Sequence, residues 1–160
     1  MGRFRSSEVS VMEIHEEILA VQKITFMIFE QARLADQNLP DEQAACFTED
    51  AVANYYGEDI HGRDQIYALL HPALNKWLAS CHSISNVQVT VHNATSATSI
   101  SYVYAWHRVN ADGAGDYEVR GQYHDEWVCT EDGWRISKRT FLTMAATPPR
   151  PDAPGIGRLP

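Results

Sequence analysis

Among the 160 residues, the side chains best suited to moving protons are seven histidines and the carboxylates. An imidazole, with a pKa of about 6.5, accepts a proton at neutral pH, and a carboxylate on its second nitrogen fixes the tautomer and stabilises the imidazolium. His82 opens a stretch of alternating pattern, and His107 ends another within Ala105-Trp106-His107. Asp36 closes a long helical pattern just before a break. From residue type alone, Asp36 reads equally as a helix-end carboxylate, and each histidine as a surface or core polar group. Tyr55 and Tyr56 are adjacent, so they point to opposite faces of a strand. A phenol there either donates to a developing enolate oxygen or packs with its hydroxyl at a rim. Arg139 lies on the last strand pattern, and alternation does not decide which way it faces.

Other chemistries find little support. His15, His61, His71, His92 and His124 are scattered, and no spacing resembles a metal site, so neither metal nor cofactor is expected. Neither a phosphate-binding glycine loop nor a serine nucleophile elbow is present. The three cysteines, Cys46, Cys81 and Cys129, are odd in number and well separated, which fits small core residues in a reducing compartment better than a disulfide framework. A formal charge of -8 argues against nucleic acid as a partner. The N-terminus has no apolar signal segment, and no run approaches the ~20 apolar residues that span a bilayer, so a cytoplasmic protein without membrane contact is expected.

The elements that must position these groups follow from periodicity. After a loose leader over residues 1–9, the apolar positions Val11, Ile14, Ile18, Val21, Ile24 and Ile28 predict one face of a helix reaching about Ala35. Asn38-Leu39-Pro40 breaks it, and Asp41 is expected to cap a short helix with Ala44, Ala45 and Phe47 buried, ended by Thr48-Glu49-Asp50. Short strands follow at Ala51–Tyr56 and Ile60–Gly62. A third helix spans Gln65–Trp77, with Pro72 set to kink or break it. The second half changes to strand alternation over Ser83–His92, Ala97–Val109, Tyr117–Thr130 and Trp134–Met144, joined by Gly/Asn/Asp turns. Five of the seven prolines lie in 148–160, so residues 146–160 are expected to be an irregular tail beyond a single domain over 10–145. Helices first and long paired strands afterwards predict an α+β fold: a cone-shaped barrel of strongly bent antiparallel sheet closed by N-terminal helices.

Several pieces of text, in order and at fitting distances, resemble the SnoaL-like group of the nuclear transport factor 2-like superfamily. They are Leu34-Ala35-Asp36, Phe47-Thr48-Glu49-Asp50-Ala51, His61-Gly62-Arg63-Asp64-Gln65-Ile66, Cys81-His82-Ser83-Ile84-Ser85-Asn86-Val87, Gly121-Gln122-Tyr123-His124-Asp125 and Asp132-Gly133-Trp134-Arg135-Ile136. The resemblance covers residues 10–142 and implies a deep, mostly apolar pocket. In the scytalone dehydratase, bile-acid dehydratase and dehydrochlorinase members, the residue matching His82 is the catalytic base and the one matching Asp36 orients it. The same resemblance implies carbonyl polarisation by Tyr55 and leaving-group assistance by His107. Tyr123 replaces a hydrogen-bonding asparagine, Ala35 a tyrosine, and Gln31 a helix tyrosine of one or other of these enzymes.

The resemblance therefore implies a cofactor-free lyase of dehydratase type acting on an apolar cyclic small molecule. An isomerase or polyketide-type cyclase would use the same Asp–His chemistry without a leaving group, and a ligand-binding or partner subunit would use the pocket alone. Val87, Val89 and Val91, with Tyr102 and Tyr104, suggest an apolar sheet face that a second copy covers. A homo-oligomer is expected, with a trimer favoured over a dimer by the resemblance.

Overall fold

A computed structural model describes residues 11–55, 57–112 and 114–149. The expected leader over 1–9, Tyr56, and the tail beyond 149 lie outside the described residues.

Helix α1 spans Val11–Asp36 and packs mainly along one strand, β3 (Ala79–Asn93). Its buried line runs through Ala20, Ile24, Ile28, Gln31 and Ala35, at steps of three and four. Ile14 and Ile18, expected in that line, are instead 46% and 51% exposed. At about 100° per residue they fall roughly a quarter to a third of a turn to one side. Asn38, at φ 54°, turns the chain out of α1. The short helix α2 covers Pro40–Ala45, with Pro40 in its first turn and no side-chain cap, so Asp41 is not the cap.

Phe47-Thr48-Glu49-Asp50, expected to finish that helix, opens strand β1 (Phe47–Asn54) instead. Phe47 is fully buried and pairs in register with Ile136, a long-range partner that local propensity cannot reveal. Arg63 secures the start of β1 by donating through Nε and Nη2 to the Phe47 carbonyl at 3.0 and 2.7 Å. Strand β2 is Asp59–His61, and α3 is Arg63–Asn75, continuous through Pro72. The remaining strands are β4 (Ser96–Arg108), β5 (Tyr117–Thr130) and β6 (Gly133–Thr147). The last of these runs past the expected domain end into residues 146 and 147.

The six strands form one sheet in the order β2-β1-β6-β5-β4-β3. The fold is α+β as expected, with one refinement: the sheet is mixed, because β1 runs parallel to β6 while the other pairings are antiparallel. Bulges bend it. In β3 the register shifts between Ser85 and Gln88, where Asn86 has φ 48°. The extra residue lets Ser80, His82 and Ile84 share a face with Val87, Val89 and Val91. These valines pack against the core, so they are not the outer face proposed for a second subunit. At Gly121 a Cβ would lie 2.5 Å from the Leu142 carbonyl oxygen and 2.6 Å from the Phe141 ring, so the β5–β6 bend there requires glycine.

Candidate active site

The concave side of the sheet and the helices enclose a cavity of about 120 Å³, bordered by His82, His107, Tyr55, Tyr117, Tyr123, Trp77 and apolar residues such as Val103 and Phe141. A wider surface hollow of about 650 Å³ lies between α1 and the β3–β4 turn, but its residues, Glu16, Glu17, Lys23 and His92 among them, form no hydrogen-bonded constellation. The smaller cavity is the one that His82 and His107 both border.

β3 is the edge strand of the sheet, so every second backbone N–H lacks a strand partner. At His82 this N–H donates to Asp36 Oδ2 at 3.0 Å. The other carboxylate oxygen, Oδ1, lies 2.6 Å from His82 Nδ1. One carboxylate at the end of α1 therefore grips both the backbone and the ring of the same residue. Because a carboxylate only accepts, this bond places the proton on Nδ1 and leaves Nε2 as the basic nitrogen. Burial pushes the Asp36 carboxyl upward, but the two hydrogen bonds from His82 outweigh it and hold the group below its ordinary value. It stays ionised where it must orient an imidazole.

His107 stands diagonally across the sheet, its ring centroid 5.3 Å from that of His82. It is 6% exposed. Its cross-strand partner Ser80 supplies Oγ to Nδ1 at 2.9 Å. Trp77 and Tyr117 stack with it at 4.6 and 5.9 Å between centroids. Burial first, and His82 second, push its pKa down from 6.5 to about 4. A neutral imidazole at physiological pH can donate or accept a hydrogen bond, but it is a poor reservoir for a full proton.

Tyr55 follows β1 and lies beside Phe141, with 6.4 Å between ring centroids. Tyr123 borders the cavity and lies over Arg139, whose guanidinium carbon is 4.2 Å from the ring centroid. All five residues singled out from the sequence thus border one cavity or, for Asp36, hold a residue that does. The undecided direction of Arg139 is inward: it is 2% exposed. Its Nε and Nη2 donate to the two oxygens of Asp125 at 2.7 and 2.8 Å, and Nη1 donates to Gln31 Oε1. Burial lowers the Arg139 pKa, but the Asp125 charge more than offsets it, so the cation persists.

Sequence reasoning quoted Asp125 only within the family resemblance and gave no part to Gln43, which borders the cavity. Asp125 alternates with Tyr123 and Trp127 and pairs in register with Arg139, a pattern visible on β5. Counting back from the Gly133 turn fails by one residue, because a bulge lies between Glu126 and Trp127. Among the described residues there is no cluster of histidine, cysteine and carboxylate groups that would hold a metal. No helix among them is long and apolar enough to cross a membrane.

This helix-covered, bent sheet matches known proteins over most of its length. Residues 16–140 match the SnoaL-like domain family. The chain belongs to that family. No curated protein matches it. Among solved structures it is similar to a candidate scytalone dehydratase of Novosphingobium aromaticivorans, at 28% identity and TM-score 0.84, covering 92% of this chain and 99% of that one. A candidate aromatic ring hydroxylase of the same species is 26% identical, TM-score 0.71, over 78% and 88% of the two chains. The hexachlorocyclohexane dehydrochlorinase LinA-type3 of Novosphingobium barchaimii is 17% identical, TM-score 0.73, over 92% and 99%, a likeness of fold alone. This SnoaL-like chain accordingly has the NTF2-like α+β architecture, shared with a dehydrochlorinase and a candidate dehydratase.

Proposed function

We propose that this SnoaL-like protein is a cofactor-free lyase that eliminates water or a similar leaving group from an apolar cyclic small molecule. One observation carries the proposal: Asp36 holds His82 by ring and backbone together, at 2.6 and 3.0 Å, with the ring on the cavity wall. Nε2 of His82 removes a proton from carbon beside a carbonyl, and Asp36 keeps the ring oriented as it becomes positive. Tyr55 polarises the oxygen on which enolate charge gathers. His107 or Tyr123 assists departure of the leaving group, which carries off the proton taken up by His82, so that hydroxide leaves as water and His82 returns to its neutral form. For His107 this means hydrogen bonding, since its low basicity suits no larger proton transfer. A positioned base contributes ~10²–10⁴ in rate. The remaining acceleration comes from orientation and exclusion of water in a cavity walled by Val103, Phe141 and Trp77.

The test is a panel of cyclic β-hydroxy ketones, whose dehydration gives an ultraviolet-absorbing enone. Turnover by the native protein and its loss in a folded His82→Ala variant are expected. Unchanged turnover in that variant would remove His82 as the base. Solvent deuterium entering a ketone without release of water would instead favour the isomerase or cyclase reading.

A further inference from the structure

Beside His82, two buried amides each keep one polar atom without a partner among the described residues: Nε2 of Gln31 and Oε1 of Gln43. The residues are 3% and 7% exposed. Neither amide is at liberty to turn over. Arg139 Nη1 donates to Gln31 Oε1, and reversing that amide would set N–H against N–H. Gln43 Nε2 donates to the Gln31 backbone carbonyl over a long 3.5 Å, and reversing it would set oxygen against oxygen. One donor and one acceptor remain. Both amides border a void of about 20 Å³, together with His82, Tyr123 and Arg139. That space suits a single oxygen with its proton. Gln43, His82 and Tyr123 also border the main cavity, so the void shares a wall with it.

We propose that this void is a hydroxyl subsite. A hydroxyl group there accepts from Gln31 Nε2 and donates to Gln43 Oε1. The subsite selects cyclic substrates that carry a hydroxyl near the carbon deprotonated by His82. A carbonyl oxygen satisfies only the donor and opposes the Gln43 oxygen, and a carboxylate is both too large and acceptor-only. The choice of substrate rests on the elimination reading, whereas the binding chemistry holds without turnover. Water offers the same donor and acceptor, so solvent and substrate are two sources of one chemistry.

Cyclohexanol and cyclohexanone, alike in size and neither able to lose water through an enolate, distinguish them. NMR titration of the full chain is expected to show cyclohexanol bound about three- to tenfold more tightly, the worth of one net hydrogen bond. Gln43→Met should abolish that preference. A crystal structure with cyclohexanol should place its oxygen within hydrogen-bond distance of both amide atoms. Equal affinities, a preference that survives Gln43→Met, or a water that cyclohexanol fails to displace would overturn the proposal. Asp36→Asn should lose turnover and keep the preference. A native protein with the preference and no eliminase activity overturns the elimination reading alone, and an active eliminase without it overturns the subsite alone.

Discussion

His107 makes the folded protein sensitive to mild acid, and the size of the effect follows from its surroundings. Its ring is enclosed by Trp77, Tyr117 and Ser80, with His82 opposite and the charges of Asp36 and Lys76 nearby. Burial and His82 lower its pKa from 6.5 to about 4. The unfolded chain therefore binds this proton more readily than the folded one, and stability falls as pH drops from about 6.5 towards 4. Below that window both states are protonated and the loss stops growing. At about 1.4 kcal/mol per pH unit, the difference comes to about 3 kcal/mol, a large share of the stability of a small domain. The measurement is urea unfolding of the native protein and of His107→Gln at a series of pH values from 7.5 to 4. Glutamine can keep the bond to Ser80 and does not titrate. The native protein is expected to lose about 3 kcal/mol more than the variant across the window. Parallel losses in the two proteins would show that His107 is not held neutral by the fold.

The other expectations concern the dyad, the buried ion pair and the bend. Asp36→Asn should lower turnover by about 10²–10⁴, the range of a disabled base, with the fold retained by circular dichroism. Unaltered turnover would separate Asp36 from the chemistry. Arg139→Met leaves Asp125 buried and unpaired, and should cost about 3–5 kcal/mol in denaturant unfolding; a loss under 1 kcal/mol would contradict the burial assigned to the pair. Gly121→Ala drives a methyl into the Leu142 carbonyl and the Phe141 ring, and a destabilisation of about 1–3 kcal/mol is expected in the same assay.

Much of the architecture was legible locally. The β4, β5 and β6 meander announces itself through alternation and Gly/Asp turns, and the β5 bounds agree with expectation at both ends. Asp36 at a helix end and His82 on an edge strand were visible as candidates. Their pairing came from resemblance, since 46 residues separate them. Local patterns failed where a distant partner decided the outcome. Phe47 looked like the tail of a helix, but Ile136 pairs with it in a parallel strand. Val87, Val89 and Val91 looked like an outward face until the bulge at Asn86 brought them round to the side of His82.

The sequence by itself determined most element types, the net negative charge, the scattered histidine spacing, and the residues able to carry protons. These depend on side-chain chemistry and on periods of two and 3.6 residues, which are properties of neighbours along the chain. Only the tertiary structure decided that Arg139 turns inward onto Asp125, that Gln31 and Gln43 each keep one buried polar atom unpaired among the described residues, and that His107 is buried. Those outcomes depend on bulges that shift register by one residue and on burial by elements far away in sequence.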